Sequence, residues 1–230
     1  CIRDRYKGKK AGEIWGYRAD GLIQTQAEAD EYNNTYDLSF ISGKPWTPGD
    51  VKYRDLNGDK KINNGLNTLD DIGDMTVIGN TTPRYQYTIN GSISWKGVTV
   101  SAMFQGVGGA QALYVGKYMA LSDVEGNFNR SKEIMNAWSP SNTGSNIPRL
   151  SNNDPNSNFS TPSDWYLENA SYLRLKNFTV SYDLSDVIRK CAHLQERNSM
   201  MSVYLSGENL FTITNYSGMD PETGGWDALK

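Results

Sequence analysis

Between residues 85 and 95 the chain alternates strictly, with Tyr85, Tyr87, Ile89, Ile93 and Trp95 separated by Gln86, Thr88, Asn90, Ser92 and Ser94. A period of two sustained this long predicts a β-strand with one apolar and one polar face. Directly after Lys96-Gly97 a second alternation begins, Val98, Val100, Ala102 and Phe104 facing one way and Thr99, Ser101 and Gln105 the other. The two runs read as a hairpin with a minimal turn. Further strands are predicted at 171–183 and 201–213. In the first of these the phase slips, Leu173 and Leu175 being odd and Phe178, Val180 and Tyr182 even. Such a slip requires a bulge or a change of environment between Leu175 and Phe178. Strands of about ten residues suit two architectures, a large antiparallel sandwich in water or tilted strands crossing a bilayer.

The connections between these strands are very unequal: two residues at 96–97, over sixty at 107–170, and an intermediate stretch at 184–200. Compact domains mostly use connections of about four to six residues. Outer-membrane barrels alternate short periplasmic turns with long outer loops. By that parity, 1–84, 107–170 and 214–230 lie outside the membrane and Lys96-Gly97 is periplasmic. Smaller elements sit within the connections. Thr25 and Glu28 form a capping box that opens a helix running towards Tyr32. Ser131 precedes Ile134, Met135 and Trp138, a second short amphipathic helix stopped by Ser139-Pro140. Val187, Ile188, Cys191 and Leu194 recur at helical spacing. All three helices read as packing elements.

Composition narrows the choice of class. Hydrophobic residues make up 37 % of 230 positions, and no apolar run approaches the roughly twenty residues of a membrane helix. Any crossing is therefore by strands, in which only alternate residues meet lipid, so a low average hydropathy is compatible with a barrel. A net charge of −3 with no basic stripe excludes nucleic acid as a partner. Trp46, Trp138, Trp165 and Trp226 fall in the long connections, where they are expected to fold back and pack, the alternative being to stack on a sugar or anchor a partner. Cys191 reads as a buried small hydrophobe. Cys1 stands where a surface-anchored carbohydrate-binding lipoprotein would carry its lipid; the other explanation is that the chain is a fragment.

The sharpest chemical motif is Asp55-Leu56-Asn57-Gly58-Asp59-Lys60-Lys61-Ile62-Asn63. Oxygen side chains at Asp55, Asn57 and Asp59, the carbonyl of Lys61 and an apolar Ile62 reproduce the first part of an EF-hand-like loop for calcium or magnesium. Lys60 stands where such loops usually have Gly, and Leu66 where a bidentate Glu is expected. Asp70, Asp71 or Asp74 can supply the missing carboxylate if 64–68 loops out. The alternative is a polar turn in which Asp55 and Asn57 cap backbone amides. Catalysis finds little support: His193 is the single His and no Ser or Cys stands in a nucleophile context. Acidic neighbours such as Asp220 and Glu222 are expected by chance among 26, and Gly106-Val107-Gly108-Gly109 follows a strand but opens no helix. No enzyme is expected.

Several blocks together resemble a known family. They are Gly12-Glu13-Ile14-Trp15-Gly16-Tyr17, Pro48-Gly49-Asp50 running into Asp55–Asp59, Val77-Ile78-Gly79-Asn80, Phe104–Gly109, Asn169–Asn177 and Val203–Phe211. In this order they are similar to the C-terminal part of the SusC/RagA family of TonB-dependent outer-membrane transporters. The resemblance implies an all-β fold, the C-terminal section of a 22-stranded antiparallel transmembrane β-barrel with long extracellular loops. It implies an extracellular loop region with the EF-hand-like turn at 1–84, and barrel strands at 85–230 with loops at 107–170 and 214–230. Such barrels import glycans, oligosaccharides or peptides across the outer membrane of Bacteroidetes. Energy comes from the TonB complex through parts not in this chain, and a SusD-like lipoprotein forms the lid. Tyr85, Tyr87, Ile89, Ile93 and Trp95 would face outer-membrane lipid, and Gln86, Thr88, Asn90 and Ser92 the lumen. The family's usual loop resembles D-L-N-G-D-G-K-I-D with a later Asp that matches Asp74. The implied ligand set is Asp55, Asn57, Asp59, Lys61 and Asp74, weakened by Lys60 and Asn63.

Overall fold

The structure, a computed structural model, describes residues 8–114, 132–152, 154–191 and 200–223. In chain order its elements are β1 (Glu13–Gly16), β2 (Ala19–Leu22), α1 (Gln26–Thr35), β3 (Val51–Tyr53), β4 (Thr76–Asn80), β5 (Tyr85–Trp95), β6 (Val98–Gly108), β7 (Gln111–Leu113), β8 (Leu167–Asn169), β9 (Tyr172–Asp183), α2 (Ser185–Cys191) and β10 (Ser202–Thr214). The chain divides into two compact units. A loop unit comprises Cys1–Thr82, Ala110–Ala170 and Tyr216–Lys230, and a sheet unit comprises Pro83–Gly109 and Ser171–Asn215.

The sheet unit holds one antiparallel sheet in the order β10-β9-β6-β5. Lys96 and Gly97 have φ angles of 48° and 83°, the type I′ turn whose twist matches that of the strands it joins. The phase slip of β9 is a bulge. Met103 of β6 pairs with Asn177 but its neighbour Phe104 pairs with Leu175, so Lys176 is skipped. That one unpaired residue returns Phe178, Val180 and Tyr182 to the face that carries Leu173 and Leu175. Direct partners across a ladder share a face. One face therefore bears Tyr85, Tyr87, Ile89, Ile93 and Trp95 of β5, and Val98, Val100, Ala102 and Phe104 of β6. Beside them lie the five apolar residues of β9 and Val203, Leu205, Phe211 and Ile213 of β10. The opposite face carries Gln86, Thr88, Asn90 and Ser92, with Ser101, Gln105, Arg174 and Thr212 beyond them. Among the described residues no strand pairs with the outer side of β5 or of β10.

After β9, the Asp183 carboxylate accepts the Ser185 N–H at 2.8 Å and starts α2. Its helical spacing does not make a packing face. Val187 is 46 % exposed and Cys191 is an exposed free thiol, not a buried hydrophobe. Seven residues give two turns, and Arg189 is drawn to Asp186 at 2.7 Å on the helix's own surface. Cys1, Ser131, His193, Leu194 and Trp226 lie outside the described residues.

The loop unit is built from two-stranded ribbons, β1 with β4, β2 with β3 and β7 with β8, around a core containing Tyr17, Ile23, Tyr32, Trp46, Val51, Tyr53, Ile62 and Trp138. The capping box forms: Thr25 Oγ1 accepts the Glu28 N–H at 3.2 Å, and the Glu28 carboxylate accepts the Gln24 N–H at 2.8 Å. α1 then buries Ala29 and Tyr32, and the Tyr32 hydroxyl donates to the Tyr53 carbonyl at 2.8 Å while accepting its N–H at 2.9 Å. Trp46 Nε1 donates to the Val51 carbonyl at 2.8 Å and Trp138 Nε1 to Gln24 Oε1 at 3.0 Å, so both rings pack inward as their loops require. The helix expected from Ser131 is reduced to a 3-10 turn at Lys132–Asn136. Trp138 N–H turns instead to the Ile147 carbonyl at 2.8 Å, and Met135 stays 84 % exposed.

Candidate functional site

Three features of the molecule offer chemistry, and the broadest is the apolar face of the sheet. Ile93 is 74 % exposed, Trp95 69 %, Leu205 79 % and Ile213 62 %. An apolar surface running across four strands is far larger than the scattered hydrophobics of ordinary protein surfaces. Aromatic residues mark its ends: Tyr85 and Tyr87, with ring centroids 6.3 Å apart, at one, and Trp95 and Tyr182 at the other. The Tyr85 and Tyr87 rings lie over Gly108 and Gly106 of β6, where any Cβ would collide with them. From Tyr85 to Trp95 the strand runs about 34 Å, or about 25 Å of membrane depth at a tilt near 45°. That is the height of the apolar band of a membrane barrel.

The second feature is the turn at 55–63. The Asp55 carboxylate accepts the N–H groups of Gly58 at 2.6 Å and Lys60 at 2.9 Å. Asn57 Oδ1 accepts from Asp59 at 2.9 Å, and Asp59 Oδ1 from Lys61 at 2.8 Å. Asp74, fully buried, accepts from Leu56 at 2.8 Å and Asn63 at 2.9 Å. Burial holds its carboxyl above the usual carboxylate range and Asp55 adds to the rise, while the Asn63 and Leu56 N–H groups act against it. Lys60 takes φ 62°, the left-handed conformation for which Gly is preferred. Asp74 is thus brought to the turn, and every named side-chain oxygen serves a backbone amide. Among the described residues no three His, Cys, Asp or Glu side chains are grouped as a metal site. Asp70 is not engaged in this network, whereas Asp71 closes its own turn by accepting the Leu66 N–H at 3.2 Å.

The third feature was invisible in the sequence. Asp50 is fully buried, and its carboxylate accepts Arg149 Nε at 2.6 Å, Asn156 Nδ2 at 2.6 Å, Asn158 Nδ2 at 2.8 Å and the Thr47 N–H at 2.7 Å. Asn158 Oδ1 in turn accepts the Val51 N–H at 2.8 Å. Gly49, at φ 90°, lies so close to Trp138 and Arg149 that no side chain fits. The only signal was the Pro48-Gly49-Asp50 turn, which carries no hint of partners a hundred residues away. This hub fixes one side of the loop unit. Elsewhere in the unit a cleft of about 880 Å³ opens between β1 and the segment 157–162. The two walls join at Tyr17, whose N–H donates to the Pro162 carbonyl at 3.0 Å and whose carbonyl accepts the Asp164 N–H at 3.1 Å.

No family model matches the chain. It is 29 % identical over 216 residues to TonB-dependent receptor P3 of Formosa agariphila, a match covering 94 % of this chain and 19 % of that protein. To TonB-dependent receptor P26 of the same organism it is 29 % identical over 178 residues, covering 77 % and 16 %. The chain is a relative of the TonB-dependent receptors. In fold it matches a chain of the RagAB peptide transporter with a TM-score of 0.62 at 22 % identity, over 95 % of this chain and 20 % of that one. The mostly β architecture with few helices is shared. This relative of the receptors thus spans about a fifth of the length of the proteins it matches. Its relatives are receptors and transporters, not enzymes, and it is assigned with them to the bacterial outer membrane.

Proposed function

We propose that these residues are the C-terminal barrel section of a SusC/RagA-type importer. In this reading β5, β6, β9 and β10 are consecutive wall strands of a 22-stranded barrel. The apolar face meets lipid, the polar face with Gln86, Thr88, Asn90 and Ser92 lines the lumen, and the loop unit is extracellular. A SusD-like lipoprotein caps the barrel, the TonB complex supplies energy, and glycans, oligosaccharides or peptides are the cargo. The observation that carries the reading is the exposed apolar face, continuous across four strands and bounded by aromatic residues at both ends. In water such a face would drive association, whereas in a bilayer it is the solvated surface. The unpaired outer sides of β5 and β10 would then be satisfied by neighbouring barrel strands, since open edges are not tolerated in lipid.

The test is topological. In a Cys1→Ser, Cys191→Ser background, a cysteine at Asn142 is labelled on intact cells by an impermeant thiol reagent, and one at Lys96 is not; equal labelling of both overturns the assignment. A calcium or magnesium site at Asp55, Asn57, Asp59, Lys61 and Asp74 is a further part of the proposal. What supports it is the alternate spacing of the oxygens in one turn with a buried carboxylate beside it. Calcium is expected to raise the unfolding temperature of the protein, with Asp59→Ala abolishing the rise. Absence of any shift with either cation leaves the polar turn.

A further inference from the structure

We propose that Asn57 is a site of self-promoted deamidation, converted within its own turn to aspartate and isoaspartate ahead of every other Asn-Gly pair of the chain; the proposal does not depend on the import reading. The pairs are Asn57-Gly58, Asn64-Gly65 and Asn90-Gly91. Glycine leaves the peptide nitrogen after the asparagine unshielded in each of them, so any difference between the pairs comes from the fold. The reaction runs through a cyclic imide. The Gly58 nitrogen gives up its proton and bonds to Asn57 Cγ, the Cγ–Nδ2 bond breaks, and the amide group leaves as ammonia with a proton gained in exchange. Water then opens the imide at either carbonyl, adding hydroxyl to the carbon and hydrogen to the nitrogen.

The turn at 55–63 supplies a partner for each of these changes. Asn57 Oδ1 accepts the Asp59 N–H at 2.9 Å, which folds the side chain back along its own main chain. Negative charge develops on that oxygen when Cγ is attacked, and the same N–H stands at the spacing of an oxyanion donor. The Asp55 carboxylate accepts the Gly58 N–H at 2.6 Å, within reach of a general base for the proton that must leave. Gly58, at φ 80°, has open space where a Cβ would stand, and both residues of the pair are exposed, so water has access. The reacting groups are assembled before the reaction, which is how proximity lowers a barrier. The other pairs are placed differently. The Gly65 N–H donates to Asn63 Oδ1 at 2.6 Å, a neutral amide oxygen and no general base. Asn64 itself is half-buried, and its side chain accepts no hydrogen bond among the described residues. Asn90 and Gly91 lie within β5, paired with Met103 and Ala102, where the ladder holds the chain extended and directs the side chain away from the next nitrogen.

The intact protein, purified in detergent with a chelator so that no cation holds Asp55 or Asn57, is kept at neutral pH, either folded or unfolded in urea. Peptide mass spectrometry follows the exchange of NH2 for OH at each asparagine. In the folded protein Asn57 is expected to react about tenfold faster than Asn64 or Asn90, and faster than it does itself in urea, where the rates of all the pairs are expected to converge. Asp55→Asn is expected to slow Asn57 about tenfold in the folded protein and to leave its rate in urea unchanged. Asp55→Glu, which keeps a carboxylate on a longer arm, is expected to restore part of the rate, a recovery that a merely loosened turn would not give. Asn57 reacting more slowly folded than unfolded, equal rates at all the pairs in the folded protein, or an Asp55→Asn rate equal to that of the unsubstituted protein each overturns the inference.

Discussion

The same residue types face opposite ways in the two units. Ile62 and Trp46 of the loop unit are completely buried, while Ile93 and Trp95 of the sheet unit are 74 % and 69 % exposed. The loop unit folds as water dictates, with an aromatic core beneath polar turns and one charged hub stitched inside it. The sheet unit turns its apolar residues outward and keeps amides and hydroxyls on the other face. Hydrophobicity therefore does not by itself say which side of a protein is the inside. What decides is the solvent on each side, and one chain here is written for two solvents.

That contrast breaks most sharply at the hub. Asp50→Ala would leave Arg149, Asn156 and Asn158 without their shared acceptor in a closed interior, at a cost of about 3–5 kcal/mol. Thermal unfolding and protease sensitivity of the 149–158 segment should both report it, whereas an unchanged melting temperature would mean that water replaces the carboxylate. A smaller effect separates the two faces of the sheet. Ile89→Arg should cost about 2–4 kcal/mol near the middle of a bilayer, and Asn90→Arg on the neighbouring polar position should cost little. Urea titration in liposomes measures the difference, and equal costs would place both faces in water.

The smallest effect sharpens the watery side of the comparison. Glu28 is held below the usual carboxylate range by the Gln24 N–H first and by Lys52 Nζ next, at 2.6 Å. A carboxylate lowered by folding contributes its stability above its ordinary pKa of 4.5 and loses it as pH falls through the lowered value. Glu28→Gln should therefore cost about 1 kcal/mol at neutral pH, as lost caps do, with the deficit shrinking in acid. A deficit of constant size from pH 7 to pH 3 would assign the loss to packing, the pH limits being roughly those that bracket a carboxylate.

The sheet was legible because each strand advertises itself locally. The alternation of 85–95 and 98–105, the Lys96-Gly97 turn and the phase slip between Leu175 and Phe178 all depend on residues within a few positions, and each appears as a strand, a type I′ turn and a bulge. The capping box of α1 was readable for the same reason, although the helix runs on to Thr35. Asp50 was not, because its partners lie 99 to 108 positions away and nothing local distinguishes it from any other acidic turn residue. Cys191 shows the converse error: helical spacing of apolar residues predicts a face, but a two-turn helix without a layer to cover it leaves that face in solvent. At the 55–63 turn the oxygens could be named from their spacing, and Lys60 keeps the left-handed bend that a glycine usually provides.

The bulge at Lys176, together with the extra residue at Asn209-Leu210 of β10, also sets the stagger of the wall. Below it Ala102 is joined through Phe178 to Gly207; above it Phe104 is joined through Leu175 to Phe211. Two residues along β6 thus correspond to four along β10, and the upper part of the sheet is sheared by two residues, about 7 Å, relative to the lower. Shear in units of two preserves the inside and the outside of every strand, whereas a shift of one would exchange them. Tilt and diameter of a closed barrel follow from accumulated shear. The lysine skipped against β6 and the extra residue of β10 at Asn209-Leu210, each a shift of one, therefore together give this wall a different slope towards β10 without turning the paired hydrophobic side chains inward.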